Sequence, residues 1–132
     1  MSLADYFENA RGIGVLATAD AQGNVDVALY ARPHVISDEE ITFIMGDRLS
    51  HDSVAGNPHA AYLFLEQSAP GHEQGQTAYN GLRLYLTRTK EETDPVKIAA
   101  IRRENRKGHE TPDQQRFLVH FKVDRVRRLV GD

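Results

Sequence analysis

Apolar residues recur at two periods along this chain, and the two periods divide it into strands and short helices. Leu3, Phe7 and Ala10 fall on one face at helical spacing behind a capping Ser2, so residues 2–11 predict a short helix ended by Gly12 and Gly14. Residues 13–19 are a strongly apolar run that predicts a strand. Asp20, Ala21, Gln22, Gly23 and Asn24 follow as a turn, built from types that tolerate unusual backbone angles. Over residues 25–36, Val25, Val27 and Leu29 alternate with Asp26, Ala28 and Tyr30, which predicts a second strand with one face buried. Pro33 has no ladder donor and marks a sheet edge, or an irregular stretch where another group approaches the backbone. A polar turn at 37–40 leads to a third strand at 41–45. Connections this short join antiparallel neighbours, so the first three strands are expected to form a meander.

Residues 50–56 predict a second helix, with Ser50 at the N-cap and Gly56, Asn57 and Pro58 closing it. A fourth strand follows at 60–66. Residues 67–76 contain Pro70, Gly71 and Gly75 and predict a mobile loop. Leu82, Leu84 and Leu86 alternate with Arg83, Tyr85 and Thr87, a half-buried strand over 82–89. Asp94 as cap, Pro95 at the first helical position and a stripe of Val96, Ile98, Ala99 and Ile101 predict a helix over 94–106. A second loop is expected at 106–115. The last strand, 117–129, points Phe117, Val119, Phe121 and Val123 one way. No repeat, low-complexity segment or linker interrupts the chain, so residues 1–132 are expected to be a single domain. Six mostly antiparallel strands with three short helices make the class mainly β. A closed or nearly closed barrel is favoured because closure removes exposed edges; the alternative is an open α+β sheet with helices on one face.

Composition narrows the function classes. A chain of 132 residues can bury an ordinary core without staples. Apolar residues at 40% and charged residues at 27% fit a soluble globular protein. A net charge of −3, from 16 basic and 19 acidic residues, speaks against a nucleic-acid partner. No apolar run approaches the ~18 residues that span a bilayer, so no membrane partner is expected. The first ten residues carry Asp5 and Glu8 and no basic region, unlike a signal peptide. The chain has no cysteine, which removes disulfides, thiolate catalysis and zinc–sulfur sites. The expected location is cytoplasmic.

Candidate chemistry concentrates in Gly46, Asp47, Arg48, Leu49, Ser50 and His51, where a strand hands over to a helix. Amides of a first helical turn, Arg48 and His51 together would suit an anion. The competing reading is a plain Ser50 cap beside a solvated Arg48. Ser50, His51 and Asp52 do not form a hydrolase relay, because adjacent helical residues do not face one another. Six histidines occur, at 34, 51, 59, 72, 109 and 120, and no pair shows the i, i+4 spacing of helical metal motifs, so no metal site is expected. His120 alternates with apolar neighbours and is expected on a solvent or interface face. Arg102, Arg103, Arg106 and Lys107 are explained by the dipole of a helix end.

Three segments carry a resemblance. They are residues 14–20 (Gly-Val-Leu-Ala-Thr-Ala-Asp) with Gly23 following, residues 32–36 (Arg-Pro-His-Val-Ile), and residues 46–58 from Gly46 through Ser50 to Pro58. In this order they resemble the pyridoxamine 5'-phosphate oxidase-related family of FMN-binding split-barrel proteins, over about residues 7–65. The resemblance implies a six-stranded antiparallel split barrel and a homodimer with FMN in a groove at the subunit interface. It implies ring contacts from Arg32, Pro33, His34 and Val35, and phosphate contacts from Arg48, Leu49, Ser50 and His51. It further implies a flavin-dependent oxidoreductase acting on a small-molecule substrate that the sequence does not name. The chain lacks a recognisable counterpart of the basic substrate-phosphate residues near the C-terminus of the biosynthetic oxidase. A non-enzymatic binding module on the same barrel, for haem or another cofactor or metabolite, is the second function compatible with the chain, and a dimer with no ligand is the third.

Overall fold

A computed structural model of the chain describes residues 2–67, 79–103 and 115–131. Apart from Gln67 and Gln115, the loops expected at 67–76 and 106–115 lie outside the described residues. The elements run α1 (Leu3–Asn9), β1 (Gly12–Ala19), β2 (Val25–Leu29), β3 (His34–Ser37), β4 (Glu40–Gly46), α2 (Leu49–Gly56), β5 (His59–Glu66), β6 (Gly81–Glu92), α3 (Pro95–Arg103) and β7 (Arg116–Arg128). The strands form one sheet in the order β2-β1-β5-β6-β7-β4-β3, with every neighbouring pair antiparallel. The mainly β class therefore stands, but among the described residues seven strands replace the expected six, and the sheet they form is not closed by hydrogen bonds.

The extra strand comes from residues 25–36, which hold two strands instead of one. β2 pairs with β1, while β3 pairs with β4. The expected three-strand meander is thus interrupted where Pro33 denies the ladder a donor. β2 and β3 are the two edges of the sheet, yet only residues 30–33 separate them. Laid flat, seven strands spaced about 4.8 Å apart would put the edges about 29 Å from each other. The five residue steps from Leu29 to His34 reach at most about 18 Å. The sheet must therefore curl until its edges face one another.

The crossing is anchored from inside. The Tyr62 side chain is fully buried, and its hydroxyl donates to the carbonyls of Tyr30 and Ala31, both at 3.1 Å. The Tyr30 amide donates to the Gly14 carbonyl at 3.0 Å. A Cβ at Gly14 would overlap the Tyr62 hydroxyl and the Tyr30 carbonyl, so β1 needs glycine there. The core beneath is aromatic: Phe43 lies 5.0 Å from Tyr62 and 6.0 Å from Phe121, ring centre to ring centre, and Phe7 lies 5.4 Å from Phe64.

α1 closes one end of this core with Leu3 and Phe7. Ser2 caps it as expected, its hydroxyl accepting from the Asp5 amide at 3.1 Å. The helix stops at Asn9, short of the two glycines, which belong to β1. At its C-terminal end Arg32 donates to the carbonyls of Phe7 (2.5 Å) and Ala10 (2.9 Å).

Two expected faces are reversed. Val25, Val27 and Leu29 are 82%, 67% and 74% exposed, while Asp26, Ala28 and Tyr30 turn inward. Alternation identifies the apolar face of a strand but not which face the curl turns inward. His120, expected on a solvent or interface face, is buried. Its Nδ1 lies 2.7 Å from Glu40 and its Nε2 2.5 Å from Glu92, while Glu92 accepts from Lys97 of α3 at 2.9 Å. α3 packs on β7 and buries Ile98, so the first half of β7 is covered on both sides. Among the described residues no helix is long and apolar enough to cross a membrane.

Candidate functional site

A cavity of about 740 Å³ opens where the curled sheet edges meet. That volume is in the range of small-molecule and cofactor sites. β2 and the 30–33 crossing form one wall through Asp26, Ala28, Leu29, Tyr30 and Arg32. β4 supplies Thr42, Phe43, Ile44 and Gly46, and the end of α3 supplies Ile101 and Arg102. Five of the eight residues expected at the site line this cavity: Arg32, His34, Arg48, Leu49 and Ser50. The other three do not. Pro33 is buried, and Val35 packs against the core. His51 turns away, its ring stacked on Phe117 at 3.8 Å and 10°, with Nε2 2.9 Å from Glu91. Glu91 also accepts from Arg88 at 3.1 Å. Burial opposes its ionisation, yet the bonds from His51 and Arg88 hold its carboxyl below the usual range.

The start of α2 differs from the expected cap. Arg48 is the N-cap residue, in extended conformation (φ −138°, ψ −177°), and no side chain caps the helix. Ser50 sits inside the first turn and is buried, 4% exposed. Burial raises the Tyr30 pKa, opposed by Ser50 and by the Arg48 charge. The curl brings β2 over α2. Ser50, His51 and Asp52 form no relay, since His51 spends Nε2 on Glu91. The fold does gather the possible ligand atoms of Asp47, His51 and Asp52 within 4.8 Å of one another, with both aspartates exposed.

Two lining cations escape sequence reasoning. Arg116 is the ladder partner of Gly46, 70 positions earlier in the chain. No local pattern marks it, and only the pairing of β4 with β7 brings it in. Arg102 has the signature of a helix-end cation, which is what a dipole argument made of it. Among the described residues, the lining includes four arginines (32, 48, 102 and 116) and one carboxylate, Asp26.

No protein-family model matches the chain, and no curated protein matches it in sequence. Solved structures do match it in shape. An FMN-binding protein from Syntrophomonas wolfei superposes with a TM-score of 0.76 at 12% identity, covering 98% of this chain and 84% of that one. A pyridoxamine 5'-phosphate oxidase-like protein from Listeria innocua gives 0.62 at 17% identity, covering 96% and 94%. A haem storage protein from Vibrio cholerae gives 0.66 at 18% identity, covering 96% and 93%. The seven-stranded sheet, curled and unclosed, with its short helices, is the split-barrel fold of the pyridoxamine 5'-phosphate oxidase-like proteins.

Proposed function

We propose that this chain binds FMN in the cavity between its sheet edges and acts as a flavin-dependent oxidoreductase on a small-molecule substrate, as a cytoplasmic homodimer. The observation that carries the reading is the cavity itself: an opening of about 740 Å³ lined by apolar and aromatic side chains together with arginines. Flavin would supply the electron-transfer chemistry, and the protein supplies orientation and electrostatics. Leu29, Tyr30 and Phe43 offer a planar ring an apolar surface. Arg48 and the amides that open α2 offer the phosphate charge and donors. Ser50 is buried in the first turn of α2, so its part is to position the turn. Arg32 holds the end of α1 and contributes mainly its charge to the cavity. His34 contributes an imidazole to the lining.

Titration with FMN tests the reading through quenching of flavin fluorescence and a rise in melting temperature. Arg48→Ala should weaken binding by about 1.5–3 kcal/mol, the range for a charged hydrogen bond. Protein that neither quenches FMN nor gains stability from it would end the proposal.

His34 also supports a second reading, haem bound in the same cavity without turnover, because imidazole is a common axial ligand. Here the haem storage protein is the pertinent structural neighbour. Haem titration should then give a strong Soret band that His34→Ala shifts or abolishes. FMN binding with no such band would dismiss it.

A further inference from the structure

His51 is fixed from two sides and leaves one ring nitrogen unused. Its ring stacks on Phe117 of β7, and Nε2 lies 2.9 Å from Oε1 of Glu91 in β6. An ionised carboxylate can only accept, so Nε2 donates and carries a proton. In a neutral imidazole the other nitrogen is then a bare lone pair. Here that nitrogen, Nδ1, is buried and has no hydrogen-bond partner among the described residues. A buried polar atom without a partner is costly unless some other ligand satisfies it.

Two carboxylates stand beside this ring. Asp47 lies in the turn after β4 and Asp52 in the first turn of α2, and both are exposed. One ligand atom from each of Asp47, His51 and Asp52 falls within 4.8 Å of the other two. Glu91 takes Nε2, so Nδ1 is the nitrogen that the cluster offers. Acidic residues near a helix start complement its dipole, which accounts for the aspartates but not for the bare Nδ1. Two carboxylates and a lone pair at this spacing oppose one another, and a cation between them reverses the sign of the interaction. No pair of histidines marks the place in the sequence, because the other two groups are aspartates.

We propose that Asp47, His51 and Asp52 hold a divalent transition-metal ion of the zinc type, through Nδ1 and one oxygen of each carboxylate, with Glu91 as the positioning residue behind the imidazole. A mixed nitrogen and oxygen set suits zinc and its neighbours, whereas magnesium and calcium take oxygen ligands. A ligating imidazole commonly passes its other N–H to a carboxylate, which fixes the tautomer and the ring orientation. Water completes the coordination, because both aspartates are open to solvent. None of the three ligands lines the cavity, but Arg48, Leu49 and Ser50, which do, lie between Asp47 and His51 in the chain. The ion therefore braces the turn from outside the cavity, and the inference does not depend on the FMN reading.

Zinc titrated calorimetrically into the whole chain, after removal of metal with a chelator, tests the site. A single ion should bind, and nitrogen NMR of the imidazoles should show His51 Nδ1 shifting while Nε2 keeps its proton. Excess magnesium or calcium should leave that signal in place. Asp47→Asn and Asp52→Asn keep the size and exposure of the side chains. Their combination should abolish zinc binding at His51 with the circular dichroism and metal-free melting temperature unchanged. Glu91→Gln leaves all three ligands in place and should weaken zinc by about ten-fold to a hundred-fold. Zinc that binds without shifting His51 Nδ1, or equally well in the Asp47→Asn, Asp52→Asn double variant, sits on other histidines and overturns the site. A wild type that binds no zinc overturns it too.

Discussion

Gly14 and Tyr62 show how much a single residue settles in this fold. Tyr62 reaches across the core to the crossing at residues 30–33, and its hydroxyl occupies the space where a side chain at 14 would go. Gly14→Ala forces that hydroxyl and the Tyr30 carbonyl apart. The expected cost is on the order of 1–3 kcal/mol of overpacking, read as a lower urea midpoint with unchanged slope. Tyr62 also sets a limit at high pH. Burial raises its pKa well above the unfolded value of about 10. A raised folded pKa gives stability that is complete below pH ~10 and is lost as pH climbs through the folded value. Unfolding free energy should therefore fall above pH ~10, and Tyr62→Phe should flatten that fall while lowering stability near neutral pH. Legibility differs sharply at this scale. Arg48 and Ser50 could be found because one local segment, strand to helix, holds both. Arg116 could not, because its relation to Gly46 exists only in the β4–β7 register.

Among the elements, local periodicity located the three helices and all but one of the strands, residues 25–36 reading as one strand where two form, and contacts between elements explain the departures. Residues 25–36 form one apolar alternation, and only the curl of the sheet splits it into two edges. His120 alternates with apolar neighbours as an outward-facing residue would, yet it is buried and Glu40 of β4 and Glu92 of β6 hold its two ring nitrogens. The carboxylates around α3 and α2 lead to a prediction about acid. Hydrogen bonds from Lys97 and His120 hold the Glu92 carboxyl below its usual range. Glu91 is held low likewise, against its own burial. A depressed folded pKa gives stability that is present above the unfolded value of about 4.3 and is lost as pH falls through the folded value. Stability should thus be nearly level from neutral pH to about 5 and should drop below about 4. The double change Glu91→Gln with Glu92→Gln should shrink that drop, measured as urea midpoints at several pH values. Because Glu92 binds Lys97, the same variant should speed amide exchange in α3 at neutral pH. An acid limb as steep as that of the wild type would show that other carboxylates set it.

At the scale of the whole molecule, the outward row on β2 supports the homodimer proposed above. β2 is an edge strand, and a bare apolar edge invites association. The row continues across the sheet. Leu29 stands beside Val15, which stands beside Leu63, and Val27 stands beside Ala17, then Ala61, then Tyr85. Ile13 is 57% exposed on the same side, one ladder step from Leu65. A second copy of this chain fits such a face, because a two-fold interface sets the same patch against itself and an unbroken apolar strip is complementary to another. Stable interfaces bury about 800 Å² per partner, an area that three adjacent strands can offer. Leu29 belongs both to this row and to the cavity lining, so a copy docked here would also wall the cavity. Dimer and ligand site are then one construction. Wild-type protein should sediment as a dimer at micromolar concentration. Val27→Asp places a charge in the middle of the row, far from the core, and should give a folded monomer with unchanged far-UV circular dichroism. If the partner walls the cavity, that monomer should also bind FMN at least ten-fold more weakly than the dimer. A wild type that sediments as a monomer would leave the β2 row without its partner, and a Val27→Asp monomer with full FMN affinity would separate the cavity from the interface.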